Sequence, residues 1–372
     1  MGLVHMTLMD TRVSGDRAGA VDVHAHYFGI DLGSRLNSRP DDRWPILVPG
    51  TDGGGVLMLG DQLFRRVRSV LWDVDERVAE LDRAGVAVQV ISPVPITLAY
   101  WADRRAAVDY ARASNDSIAD AVRRGGGRLE GLGTLPLPHV GSAVAELHRA
   151  VADLGLRGVE IGSQVGEFDL DAPELWPLFE AAQELGAAIL IHPTDGGGGV
   201  LRRSGQPYDF GLGMITDTAI AATALVFGGV LERYPRLRIA LAHGCGTFAW
   251  AYPRLRLGAS IFDAVDPAHA DRLVSSLWVD SLVFDHRSLR VLADRFGGDH
   301  LLLGTDHPFI PGQLEGAAAF VDAAASSGAL TREQARGLHR HNGLAFLGMV
   351  ADEITTLRRP ASSCPAGAGG RP

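Results

Sequence analysis

Four histidines and one aspartate carry the chemistry open to this chain. His24 and His26 close the run Val21-Asp22-Val23, and His192 closes Ala187-Ala188-Ile189-Leu190-Ile191. His243 closes Ile239-Ala240-Leu241-Ala242, and Asp306 follows Leu301-Leu302-Leu303-Gly304-Thr305. Three neutral imidazoles and a carboxylate are borderline to hard ligands that suit Zn²⁺, with Mn²⁺ or Co²⁺ accepting the same set. With one position left open, such a site lowers the pKa of bound water toward about 7. A His-x-His pair alone says little, since 13 histidines in 372 residues produce about 0.45 such pairs by chance. Placement says more. Each candidate ends a short apolar run, and residues i and i+2 of a strand project to one side, so His24 and His26 enter together. Buried histidines that cap strands by hydrogen bonds would explain any one of these positions, but not the set.

Bringing such groups together requires parallel strands whose carboxyl ends converge. Short β-branched runs bounded by turn residues alternate here with stretches of helical period, the signature of strands joined by crossover helices. Candidate strands are Ala20–His24, Val86–Ser92, Leu129–Leu135, Gly158–Gly162, Ala188–His192, Leu237–His243, Leu277–Asp280 and Leu301–Thr305. Helical stretches between them include Asp75–Ala84, Asp103–Arg123, Ser142–Leu154, Ala172–Leu185, Thr216–Arg233 and Asp285–Phe296. The fold expected is α/β, a (β/α)₈ TIM barrel over residues 19–350, whose active site lies at the carboxyl ends of the strands. Residues 31–68 break the repeat with Gly, Pro and Asp and an alternating stretch near Gly55–Phe64, and read as an inserted β-hairpin or small cap after the first strand. Pro193–Met214, with Gly196–Gly199, reads as a mobile lid, residues 1–18 as a flexible N-terminus, and residues 351–372 as a disordered tail.

Bulk properties narrow the setting. A net charge of −9 and no basic stripe argue against a nucleic-acid partner. No apolar run approaches the roughly 18 residues of a membrane span, and residues 1–20 lack a leader's basic and apolar regions, so a soluble cytoplasmic protein is expected. Cys245 and Cys364 are too few for a disulfide framework. His307 follows Asp306 directly, so its side chain should point away from the ligands. His139, His148, His269, His286, His300, His339 and His341 read as surface or packing residues.

From Val21 to Leu347 the chain resembles the α-amino-β-carboxymuconate-ε-semialdehyde decarboxylase family of the amidohydrolase superfamily. The likeness rests, in order, on VDVHAH, on FRRVRSVLWDVDERVAELDRAGVAVQVISPVP followed by YWA, and on GLGTLPL and GVEIGS. It continues through EFDLDAPELWPLFEAAQELGAAILIHP, GGVLERYPRLRIALAHGCGTFAWAYPRL and LLLGTDHPF. The resemblance implies a mononuclear zinc site of His24, His26, His192 and Asp306, with His243 as the acid/base group. It also implies that Arg65 and Arg254 bind substrate carboxylates, with Arg254 reaching the neighbouring site of a homodimer.

Two departures bear on the pocket. The family's Pro-Trp-Asp after the third histidine is Pro193-Thr194-Asp195 here, and its Gly-Gly-Gly after the catalytic histidine is Gly244-Cys245-Gly246. Cys245 reads as a small packed residue, since the ligand set is complete without it. The activity implied is non-oxidative decarboxylation of a small unsaturated or aromatic carboxylic acid by metal-activated water and a histidine acid/base. A hydrolase or hydratase acting on a similar carboxylate would use the same parts.

Overall fold

The computed structural model describes residues 19–29, 31–32, 43–51, 53–194 and 200–349. Eight parallel strands form one sheet in the order β1 (Ala20–Tyr27), β5 (Val86–Pro93), β6 (Leu129–Gly133), β7 (Gly158–Gly162), β8 (Ala188–His192), β9 (Arg238–Leu241), β10 (Trp278–Asp280) and β11 (Leu301–Leu302). The sheet closes on itself: Val23 N donates to Leu303 O at 2.8 Å, and His26 N to His307 O at 2.8 Å. Strands β1, β6, β7 and β8 are buried throughout, as parallel strands covered by helices must be. Val21, Val90, Leu132, Leu190, Ala240 and Leu302 pack together inside, with Leu344 and Phe346 of the C-terminal helix. Ile161, Ile189, Leu241 and Val279 face outward onto helix residues such as Phe179 and Leu225.

The inserted segment is larger than a hairpin. Pro45–Pro49 (β2), Gly54–Leu59 (β3) and Gln62–Arg68 (β4) make a three-stranded antiparallel sheet. Leu57 and Val67 anchor it against Phe28, Leu71 and Trp72. Leu57 pairs with Arg65 and Met58 with Leu63, so Phe64 is an extra residue bulged from β4.

Three expectations need correction. Thr216–Arg233 is not one helix: Met214–Phe227 ends at Gly228, and a separate turn spans Val230–Arg233. A Cβ at Gly228 would lie 2.1 Å from Asp171, and Gly229 sits at φ 86°, so the break is built into the glycines. The second half of the expected lid is a helical turn, Asp209–Gly213, continuous with Met214–Phe227. Together they form a helix of 19 residues that is, by length and composition only, long and apolar enough to cross a membrane; Asp209 and Asp217 hide it in a linear reading. Its buried Ala221, Ala222 and Leu225 pack into the outer core. The expected flexible ends, Cys364 and the glycines at 196–199 lie outside the described residues.

Candidate metal centre

The first strand re-aims itself to build the site. Asp22 pairs with Gln89 and Ala25 with Ile91, so Val23 and His24 together stand opposite the single residue Val90. Under strict alternation His24 would share the outward face of Asp22, whose carboxylate accepts from Gln89 and Thr305 at 2.8 and 2.7 Å. The irregularity turns His24 inward beside His26, a common use of bulges near active sites. His192 ends β8 on the inward parity of Leu190. His243 and Asp306 lie two and four residues past their strands, at φ 55° and 53°, a left-handed conformation that costs a non-glycine residue about 1 kcal/mol or more and concentrates at functional sites.

The ligand atoms of His24, His26, His192 and Asp306 all lie within 4.8 Å of one another. His26 Nε2 is 3.1 Å and His24 Nε2 4.0 Å from Asp306 Oδ1. Each imidazole spends Nδ1 on a fixed partner: Asp280 Oδ2 at 2.6 Å for His24, the Pro93 carbonyl at 2.9 Å for His26 and the Pro193 carbonyl at 2.8 Å for His192. Each thereby leaves Nε2 buried with no hydrogen-bond partner. Three orphaned nitrogens converging on one carboxylate fit a divalent cation, because burial without a partner is otherwise costly. This is a metal-binding site. His243 stands alongside rather than within the set, its Nε2 4.0 Å from Asp306 Oδ2 and its Nδ1 unpartnered.

Electrostatics differ across the cluster. Burial opposes ionisation of Asp306, but His26 and the other imidazoles outweigh it and hold the carboxyl far below the usual range. Burial pulls His24 down, yet its hydrogen bond to Asp280 and the surrounding carboxylates prevail and raise it to about 9. Burial, reinforced by neighbouring imidazoles, keeps His192 and His243 below the ordinary histidine value, His192 strongly so.

Asp280 went unnoticed in the sequence. Besides His24 it accepts from the backbone N–H of His243, Gly244 and Leu282 at 2.9, 2.8 and 3.1 Å. One carboxylate thus orients a ligand and shapes the turn that carries His243. Its place at the end of a candidate strand was the available signal. Glu160, buried within β7, was also missed; it accepts from Ser92 Oγ at 2.6 Å and lies 3.8 Å from His26. Burial raises its pKa.

Arg65 reaches a cavity of about 400 Å³ that His26, His192, His243 and Asp306 also line. Its guanidinium lies 4.6 Å from the centre of the Phe309 ring, and Thr194 stands in the wall. Arg254, by contrast, is exposed on the helix Phe248–Phe262 and does not line this cavity. His307 points away from the ligands, to Glu80 at 3.0 Å and to the buried Arg77 at 3.3 Å. Cys245 is buried and outside the ligand set.

Comparison with known proteins agrees with this geometry. The amidohydrolase family model matches residues 21–349. The 2-amino-3-carboxymuconate-6-semialdehyde decarboxylase of Dictyostelium discoideum is 34% identical over 345 residues, covering 90% of this chain and 92% of that protein. Its Caenorhabditis elegans counterpart is 30% identical, over 79% of this chain and 86% of that protein. The apo crystal structure of Metarhizium anisopliae IDCase superposes with a TM-score of 0.73 at 25% identity, covering 89% of this chain and 97% of that one. On the family match and the shared length of these relatives, this chain belongs to the amidohydrolase family.

Proposed function

We propose that this chain is a divalent-metal-dependent decarboxylase that removes CO₂ without oxidation from a small unsaturated or aromatic carboxylic acid. The carrying observation is the convergence of three orphaned imidazole nitrogens and Asp306 beside a base, His243, in a cavity with Arg65 in its wall. Identity of 34% to a decarboxylase over nine-tenths of the chain supports it. In this reading His24, His26, His192 and Asp306 hold zinc, which supplies Lewis acidity toward developing negative charge.

The chain's own residues do the rest. Loss of CO₂ leaves an electron pair on carbon, so the acid must be held still and a proton delivered. Arg65 grips a carboxylate with its planar fork, braced on Phe309. His243, kept neutral by burial, takes a proton from water and delivers it to the carbon from which CO₂ departs, while Asp306 steadies its charged form. The resemblance implies that the partner subunit's Arg254 holds a second carboxylate in a homodimer, and the exposed position of Arg254 outside its own chain's cavity is compatible with that role.

Incubating zinc-loaded protein with a panel of 2-hydroxybenzoates and conjugated dicarboxylates tests the activity. Products lighter by one CO₂ are expected. Products heavier by one water would instead assign a hydratase or hydrolase, and no turnover across the panel would end the reading. Arg65→Ala and Arg254→Ala should each lose most kcat/KM, and mixing the two should restore a fraction of it. Absence of rescue removes Arg254 from the neighbouring site.

A further inference from the structure

We infer a second ligand subsite: an apolar annex, opening onto the metal cavity at His243, that receives a hydrophobic substituent of the carboxylic acid. This rests on the decarboxylase reading and narrows its substrate class to acids bearing an alkyl or aryl group.

The annex is a separate cavity of about 310 Å³, walled by Ile215, Ala249, Val283, Val291 and Leu292. It shares Phe210, Met214, His243 and Ile310 with the metal cavity, so the two spaces lie side by side at His243. Among the described residues lining it there is no Asp, Glu, Lys or Arg. Its polar side-chain groups are those of His243, Ser288 and Trp250. The metal cavity differs in setting the charged groups of Arg65 and Asp306 among walls that are otherwise largely apolar. A carboxylate in the annex would lose its hydration and find no cation, whereas a hydrocarbon would gain from burial. The volume is about twice that of the roughly 150 Å³ cavity known to take up benzene.

Backbone features show that the space is built. A Cβ on Gly246 would lie 1.9 Å from the Ile215 carbonyl, and one on Gly244 would lie 2.3 Å from Val283, so two glycines bring the turn after β9 against the annex walls. Phe284, at φ 58° and 54% exposed, and Trp250, 83% exposed, both line the cavity. A bulky residue in that conformation is strained.

The test is the affinity of zinc-loaded protein for 2-hydroxybenzoate and its 4- and 5-n-alkyl homologues from methyl to butyl, read by calorimetry with CO₂ release followed in parallel. Binding should tighten about fourfold per methylene in at least one series, and Val283→Trp should abolish the gain. Ser288→Trp serves as a second filler should the first fail to fold. Affinity that is flat or falling along both series overturns the annex, as does a gain that survives both fillers. If a second copy of this chain fills the space, the series is flat and the fillers move the sedimentation coefficient toward the monomer, which also overturns it. Rising affinity without CO₂ release upholds the annex and sinks the decarboxylase reading alone.

Discussion

His24 and His243 lie in one cluster yet their proton affinities move in opposite directions, and each shift has a measurable consequence. Held at about 9 by Asp280, His24 carries a proton at pH 7.5 in the metal-free protein, and a metal needs the neutral ligand. Zinc uptake at pH 7.5 should therefore release a proton from this residue, and apparent zinc affinity should rise as pH increases toward 9. Indicator-dye titration checks both, and Asp280→Asn should weaken zinc binding roughly 10- to 100-fold. Burial lowers His243, so it stays an unprotonated base below the ordinary imidazole value of 6.5. The acid limb of kcat/KM against pH should then fall below about 6.5; a limb centred above 7 would contradict the assignment. His243→Ala should keep its zinc and lose about 10²- to 10⁴-fold in kcat, whereas loss of the metal would make His243 a ligand.

At the level of elements, the site depends on strand ends that leave regular geometry. β9 stops at Leu241, two residues before His243, and β11 stops at Leu302, well before Asp306. Beyond these ends both residues take the left-handed conformation, while the segment carrying Asp306 stays bonded to β1 through Asp306 N to His24 O at 2.8 Å. Gly246 sets how closely the turn after β9 approaches the helix Met214–Phe227: at φ 58° it leaves no room for a methyl group beside the Ile215 carbonyl. Gly246→Ala should cost about 3 kcal/mol from strain and displacement, read as a lowered denaturation midpoint with an unchanged slope. The fully buried Arg77 binds the barrel to the helix Val74–Ala84. It donates to the carbonyls of Val70 and His26 and to Gln89 at 2.9, 2.6 and 2.6 Å, so the His26 backbone is held from outside the barrel as well as within it.

At the scale of the molecule, the ligands come from strands β1 and β8 and the segment after β11, so a bound cation ties distant parts of the barrel together. Metal that binds only the folded state should stabilise it by about 2.7 kcal/mol at 100 times Kd. Chelation should lower Tm, and zinc should restore it in a concentration-dependent way. A Tm indifferent to both would mean that the four side chains hold no ion. The sequence by itself determined the barrel and the five residues that gather at its mouth, because apolar runs ending in His or Asp report strand ends, and strand ends of a parallel barrel share one face. It also marked the insert as a hairpin or small cap without fixing its three strands, since alternation reveals strands but not how many pair. Only the tertiary structure decided which way His24 faces, because that depends on two residues of β1 standing against one of β5. Asp280's contacts, Arg254's absence from the wall of its own chain's metal cavity and the second cavity beside His243 are likewise relations between segments far apart along the chain. Periodicity in one segment cannot encode them, since they arise when the barrel closes.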